Sequence, residues 1–296
     1  MKSIQIEKHT LPMNFETGAF LDPTKAREFG GALSGQYCFA EPYPHIVIDD
    51  FLPAGYIEAI LDNFPIGALK NDKFYEADYS GLHKRQSFPN DCNAYVRGVF
   101  GFFNSASVLQ FLEGLSTIDG LIPDPYFNGG GFHEIARGGK LGIHADFRIH
   151  EQLHLNRRIN MLIYLNKDWE AEFGGCLEIW DKKMKCKIRE IAPVFNRCVI
   201  FNTDDDSYHG HPEPLNTPEN RTRRSIALYY YTASKKVYEE TPAHSTMYVA
   251  RPGDSLQIKR HAVKLRARNY VNDWLPPILL RKLISLKRRL KPVSRR

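Results

Sequence analysis

The run Gly142-Ile143-His144-Ala145-Asp146-Phe147 lies within a segment, Gly129 to Thr232, whose short apolar stretches and turn residues decide the fold. In an extended strand, residues two apart project to the same side, so His144 and Asp146 can reach one ion without distorting the backbone. A further histidine, in Tyr208-His209-Gly210, follows Asp146 by 209 − 146 = 63 residues, enough chain for several strands and turns to bring it back to the first pair. Two imidazoles and one carboxylate form a facial triad with open metal positions, a donor set that points to chemistry rather than metal storage. A His-x-Asp pair alone carries little weight, because so short a pattern arises often by chance.

Working outward, turn residues recur at Gly129-Gly130-Gly131, Arg137-Gly138-Gly139, Asn166-Lys167-Asp168, Gly174-Gly175, Pro193 and Asn202-Thr203-Asp204. Between them, Ile159 to Leu165, Cys176 to Trp180, Cys198 to Phe201 and Ser225 to Tyr231 read as strands. Many short strands joined by turns predict a closed or double-sheet antiparallel architecture of the jelly-roll kind, mainly β with supporting helices. Upstream, Pro42 to Pro53 holds a β-branched strand, Tyr56 to Phe64 has helical spacing, and Val96 to Leu115 predicts one or two helices that pack on the sheet. Asn71 to Asn93, with Tyr75, Tyr79, His83, Lys84 and Arg85 scattered through it, is polar and turn-rich and reads as a solvated connection, with a substrate-facing loop as the alternative, and Gly30-Gly31 with Gly35 makes the end of the first 40 residues read as a loop. The expected organisation is an extension over 1–40, a strand and helical support region over 41–125, a core over 126–235 and a carboxyl-terminal extension over 236–296.

Composition is that of an ordinary globular chain, with 296 residues, 43% hydrophobic and 25% charged. Five cysteines at irregular spacings, with no Cys-x-x-Cys pair, predict reduced thiols and a cytoplasmic setting. The net charge of +6 is uneven: eight Lys or Arg and no acid fall between Ile278 and Arg296, leaving 40 − 8 = 32 basic against 34 acidic residues elsewhere. A near-neutral body argues against nucleic acid as a partner. Leu279, Leu283, Leu286 and Leu290 share one face of a basic helix, which predicts packing on the core or on a second copy in a homodimer, with peripheral contact to an anionic membrane as the rival.

Four further stretches accompany the triad: Gly138-Gly139-Lys140-Leu141-Gly142, Arg158 to Asn166, Trp169 through Gly174-Gly175-Cys176-Leu177-Glu178-Ile179-Trp180, and Arg223-Arg224-Ser225. In this order they resemble the prolyl-hydroxylase-like branch of the Fe(II)/2-oxoglutarate-dependent oxygenases over about residues 126 to 234, with a weaker echo in Pro42 to Phe64. The resemblance implies a double-stranded β-helix, cupin-like in outline, holding Fe(II) through His144, Asp146 and His209. It implies that Arg223 takes the distal carboxylate of 2-oxoglutarate, with Ser225 and Tyr164 adding hydroxyl contacts. A guanidinium suits that role, since its planar fork can make paired hydrogen bonds to a carboxylate. The implied reaction oxidises 2-oxoglutarate with O2 to succinate and carbon dioxide while hydroxylating a C–H bond of a peptide, prolyl or small-molecule substrate, with ascorbate as an accessory reductant. Asp146 disfavours halogenation, because related halogenases lack that carboxylate.

Alternatives attach to several residues. His211 competes with His209 as the distal ligand, and Arg224 with Arg223, although strand alternation sends only one of two adjacent side chains inward. His133, His150 and His154 read as surface or substrate-loop residues, and Phe147 to Asn156 as part of a substrate lid. Asp204-Asp205-Asp206 lacks the ligand pattern of a calcium loop and reads as a solvated turn. Glu178 and Trp180 face either the substrate or the outer sheet. At the level of function, the rivals are a catalytically inactive cupin-like binding or sensing protein, expected to have lost one of His144, Asp146, His209 and Arg223, and a metal-dependent isomerase or hydrolase, which would not need the late arginine.

Overall fold

The computed structural model describes residues 7–14, 20–77, 79–150, 152–233 and 246–274. The chain begins with β1 (Glu7–Lys8), β2 (Met13–Asn14), β3 (Phe20–Leu21), α1 (Pro23–Cys38), β4 (His45–Asp49) and α2 (Ala54–Asp62). There follow β5 (Lys73–Ala77), β6 (Gly81–Ser87), α3 (Ala94–Phe103), α4 (Ala106–Ser116) and β7 (Leu121–Pro123). The remaining elements are β8 (Gly131–Ala145), β9 (Asn156–Tyr164), β10 (Leu177–Trp180), β11 (Lys187–Ile191), β12 (Cys198–Asn202), β13 (His209–His211), β14 (Arg223–Thr232), β15 (Met247–Tyr248) and α5 (Leu256–Trp274).

The main path of strands runs β1-β4-β12-β9-β14-β8-β13-β10-β11, with β6 on β8 and β5 on β6. Long β8 serves two layers. Its first part, Phe132 to Ile135, pairs with β14 on one side and β6 on the other, whereas Leu141 and His144 pair with β13. The strand thus passes from one layer into the next and curls the antiparallel sheet into a jelly-roll half-barrel.

Side-chain alternation then sorts the residues. In β12, Cys198 and Ile200 join the large core under the helices, whereas Val199 and Phe201 face the barrel interior with Val47 of β4 and Tyr164 of β9. In β9, Ile159, Met161 and Ile163 point to the helices, and in β14 so do Ile226, Leu228 and Tyr230. A central sheet buried on both faces explains why these strands read as nearly continuous apolar runs. The helix side is filled by Phe100 and Phe103 of α3 and by Val108, Phe111, Leu112 and Leu115 of α4, all buried.

Two expectations are corrected. The end of the first 40 residues is a helix: Asp22 caps α1 by accepting from the Lys25 amide at 2.9 Å, Pro23 opens it, and Ala26, Gly30, Leu33 and Tyr37 form its buried face. Of the glycines that suggested a loop, Gly30 instead admits a neighbour, since a Cβ there would lie 2.1 Å from the Phe111 carbonyl oxygen of α4. Asn71 to Asn93 is likewise no solvated connection; it contains the β5–β6 hairpin, which extends the sheet beyond β8. The leucine face at Leu279 to Leu290 lies outside the described residues. Among those residues no helix is long and apolar enough to cross a membrane.

The α1–α4 contact separates two adjacent glycines. Gly30→Ala should destabilise by about 1–3 kcal/mol through overpacking against α4. Gly31, where an added methyl would meet nothing within 4 Å, should tolerate alanine and gain up to about 1 kcal/mol of helix propensity. Urea unfolding of both variants checks this, and equal effects would show that the helices do not approach at Gly30.

Candidate metal centre and its pocket

His144 near the end of β8 pairs across the ladder with His209 at the start of β13, which brings the two imidazoles together with their ring centroids 4.6 Å apart. Gly210 permits the approach, because a Cβ there would stand 2.6 Å from the Gly142 carbonyl oxygen. Asp146, two residues beyond His144, completes a buried group whose ligand atoms all lie within 4.8 Å of one another. The His144 Nδ1 lies 2.8 Å from the Gly142 carbonyl oxygen and the His209 Nδ1 2.9 Å from that of Ser207. A carbonyl can only accept, so each Nδ1 carries a proton, and in the neutral ring each Nε2 turns a lone pair toward Asp146. The Nε2 atoms stand 3.6 and 3.5 Å from its two oxygens.

Asp146 is itself held from behind. Its Oδ2 accepts from Arg157 Nη2 at 2.9 Å and from Asn160 Nδ2 at 2.7 Å, and Asn160 Oδ1 accepts from Arg157 Nε at 2.9 Å and from the Thr203 hydroxyl at 3.2 Å. Burial alone would raise this carboxyl, but Arg157 and then the imidazoles hold it well below the usual carboxylate range. Arg157 is only 1% exposed and lies between aromatic faces, 3.5 Å from the Tyr229 centroid and 4.6 Å from that of Phe147. Burial, then His144, lowers His209 to about 4, so its ring stays neutral as a metal requires. The donor set, its charge state and its shared direction fit a divalent ion such as Fe(II).

These groups open into a cavity of about 250 Å³, lined also by Tyr75 and Lys84 of the hairpin, His133, His211, Arg223, Ser225 and Tyr248. Inward alternation on β14 delivers Arg223 and Ser225, and Arg224 goes the other way, where it and Arg85 both bind Glu134, at 3.0 and 2.6 Å. Arg223 donates from Nε to the Gly175 carbonyl at 2.8 Å and from Nη2 to the Tyr164 hydroxyl at 3.3 Å. Gly175, at φ +69°, leaves the space for it, since a Cβ there would come within 3.0 Å of Arg223 Cδ.

The histidines sort differently from expectation. His133 is buried and lines the cavity, with Nε2 2.9 Å from the Gly129 carbonyl oxygen. His150 is fully buried beside Asp124 at 3.3 Å, pinning the segment that reads as a lid, and of the three only His154 is exposed. His211 lines the cavity, and Glu178 and Trp180 lie outside the lining, bonded to each other at 2.8 Å. Sequence reasoning missed Arg157 and Asn160, and reached Tyr75 and Lys84 only through the alternative of a substrate-facing loop. Asn160 carried a signal: an amide between Ile159 and Met161 in an apolar strand needs a buried partner.

His209→Ala removes one of three converging donors, so Fe(II) affinity of the anaerobic protein should fall by at least about a hundredfold, whereas His211→Ala retains binding. Calorimetric titration of both variants measures it, and the reverse pattern would move the distal ligand to His211.

Residues 130–231, which hold the triad and Arg223, match the family model of the 2OG-Fe(II) oxygenase superfamily. Over 82 residues the chain is 30% identical to prolyl 3-hydroxylase OGFOD1 of Mus musculus, covering 26% of this chain and 15% of that protein. It is 32% identical over 81 residues to Egl nine homolog 1 of Homo sapiens, covering 27% and 18% respectively. It thus spans less than a fifth of the length of these two relatives. A prolyl hydroxylase from Trichoplax adhaerens, solved with a hypoxia inducible factor peptide fragment, superposes with TM-score 0.48 at 15% identity over 70% of this chain and 91% of that one. A Pseudomonas putida prolyl-4-hydroxylase gives 0.43 at 16% identity over 69% and 100%. Over residues 130–231, about a third of its length, the chain is similar to the 2OG-Fe(II) oxygenase superfamily, and the relatives it matches there are prolyl hydroxylases.

Proposed function

We propose that this protein is an Fe(II)- and 2-oxoglutarate-dependent hydroxylase acting on a peptide, prolyl or small-molecule substrate. The observation that carries the reading is one cavity with the His144–Asp146–His209 donors and the inward guanidinium of Arg223 in its wall. When bound, Fe(II) with 2-oxoglutarate and O2 supplies the oxidising power for C–H hydroxylation, with succinate and carbon dioxide released.

The protein's own contribution is orientation and charge. His144, Asp146 and His209 would hold the metal, and Arg157 and Asn160 keep the carboxylate ionised and aimed. Arg223 takes the distal carboxylate of 2-oxoglutarate, with Gly175 and Tyr164 fixing the guanidinium so that little ordering remains when the ligand arrives. Ser225, next to Tyr164 across the ladder, offers a hydroxyl on the same wall. Leu162, Leu177 and Phe201 line the cavity and limit the water near the reacting groups. All four residues that an inactive binding protein would be expected to lose in part are present, which favours turnover over sensing.

Purified protein with Fe(II), 2-oxoglutarate and O2 should form succinate. Arg223→Leu should retain the metal but bind 2-oxoglutarate about a hundredfold or more weakly, a loss of a few kcal/mol from an unpaired buried charge. Arg224→Leu should leave that affinity unchanged. Calorimetry on the Mn(II) form measures both, and undiminished affinity in Arg223→Leu would refute the co-substrate assignment.

A further inference from the structure

The β5–β6 hairpin brings charge to the cavity that the triad and Arg223 do not use. Among the lining residues are four cations, Lys73, Lys84, Arg157 and Arg223, against a single carboxylate, Asp146. Asp146 is bonded to Arg157 at 2.9 Å, and the proposed reaction gives Arg223 the distal carboxylate of 2-oxoglutarate. Lys84 remains, half-buried, with its ammonium 5.1 Å from the Tyr75 ring centroid and no carboxylate within 4 Å among the described residues. Tyr75 is held beneath it by a 2.8 Å bond from its hydroxyl to Gln86.

Lys84 and Arg223 reach the cavity from strands on opposite sides of β8. Lys84 on β6 and Arg223 on β14 both pair with Ile135 of β8, from opposite sides, and Ile135 lines the cavity. Two strand spacings separate their backbones, about 10 Å. His211 adds a separate observation. It is 4% exposed, lines the same cavity, and neither ring nitrogen has a hydrogen-bond partner. Buried polar groups are paired as a rule, so such an exception marks a place where a ligand supplies the partner.

We propose that Lys84, with His211 beside it and Lys73 at the rim, forms a second anion subsite, and that the substrate of this pocket is a small molecule bearing a carboxylate. The inference rests on the hydroxylase reading. A cavity of about 250 Å³ lies below the roughly 300–1,000 Å³ usual for ligand pockets, which favours a small acid over a large ligand once 2-oxoglutarate is seated. The carboxylate supplies the counter-charge that Lys84 lacks and an acceptor for the imidazole N–H, and so fixes which C–H bond is presented to the metal side of the cavity.

The test uses the full chain in its Mn(II) form. Calorimetry first measures 2-oxoglutarate binding to wild type, Lys84→Met and Lys84→Arg. Failure of wild type to bind would sink the hydroxylase reading itself. With binding present, Lys84→Met should weaken 2-oxoglutarate by less than about fivefold, the size of a screened charge effect, and this retained binding also shows the variant is folded. A loss as large as that of Arg223→Leu would assign Lys84 to the co-substrate and overturn the subsite. Next, with 2-oxoglutarate saturating, a panel of amino acids, hydroxy acids and dicarboxylic acids is compared with the corresponding amides by the paramagnetic broadening that Mn(II) imposes on nearby ligand protons. One or more acids should broaden with wild type and Lys84→Arg, and not with Lys84→Met, while their amides stay sharp. Broadening of amides as strong as that of acids, acid broadening that survives in Lys84→Met, or no broadening by any acid would each contradict the inference.

Discussion

Asp146 is a carboxylate 8% exposed that must stay charged in a barrel interior, and the arrangement around it follows from that requirement. Arg157 provides the opposing charge, but a buried guanidinium needs its own partners, which are the Asn160 amide and the faces of Tyr229 and Phe147. Asn160 is in turn fixed by Thr203. The chain of support therefore runs from the β12–β13 connection through β9 to the end of β8, and it leaves one side of the carboxylate turned to two lone pairs. A buried pair of this kind contributes little net stability. Its value is geometric: three donors converge with their charge state already set.

Much of this was legible in the sequence because jelly-roll strands obey a strict period. Cys198 to Phe201, Ile159 to Leu165 and Ser225 to Tyr231 read as strands and are strands, with ends displaced by no more than three residues. Alternation also placed Arg223 and Arg224 on opposite faces, and the structure puts Arg223 in the cavity and Arg224 against Glu134. The helices within Val96 to Leu115 followed from their apolar spacing.

What escaped was set by contacts far apart in sequence. Gly30 looks like a loop residue by composition, and only the Phe111 carbonyl above it explains why glycine stands inside a helix. The β5–β6 hairpin is polar because its inward face lines a charged cavity and β5 is largely exposed, so no hydrophobic alternation betrays it. Likewise His150 resembles a surface residue until Asp124, 26 residues upstream, closes on it. Polar residues in buried places carry no periodic mark, and they are the ones that shape this pocket.

The central claim is that the triad and Arg223 form one centre that holds Fe(II) and 2-oxoglutarate together. Visible absorption of the anaerobic protein tests it most directly, because an α-keto acid chelated to Fe(II) gives a metal-to-ligand charge-transfer band that neither partner gives alone. The account predicts a band that appears only when both are present, saturates at equimolar Fe(II) and protein, and bleaches on admission of O2. Fe(II)-loaded protein that shows no such band with 2-oxoglutarate in excess would contradict it.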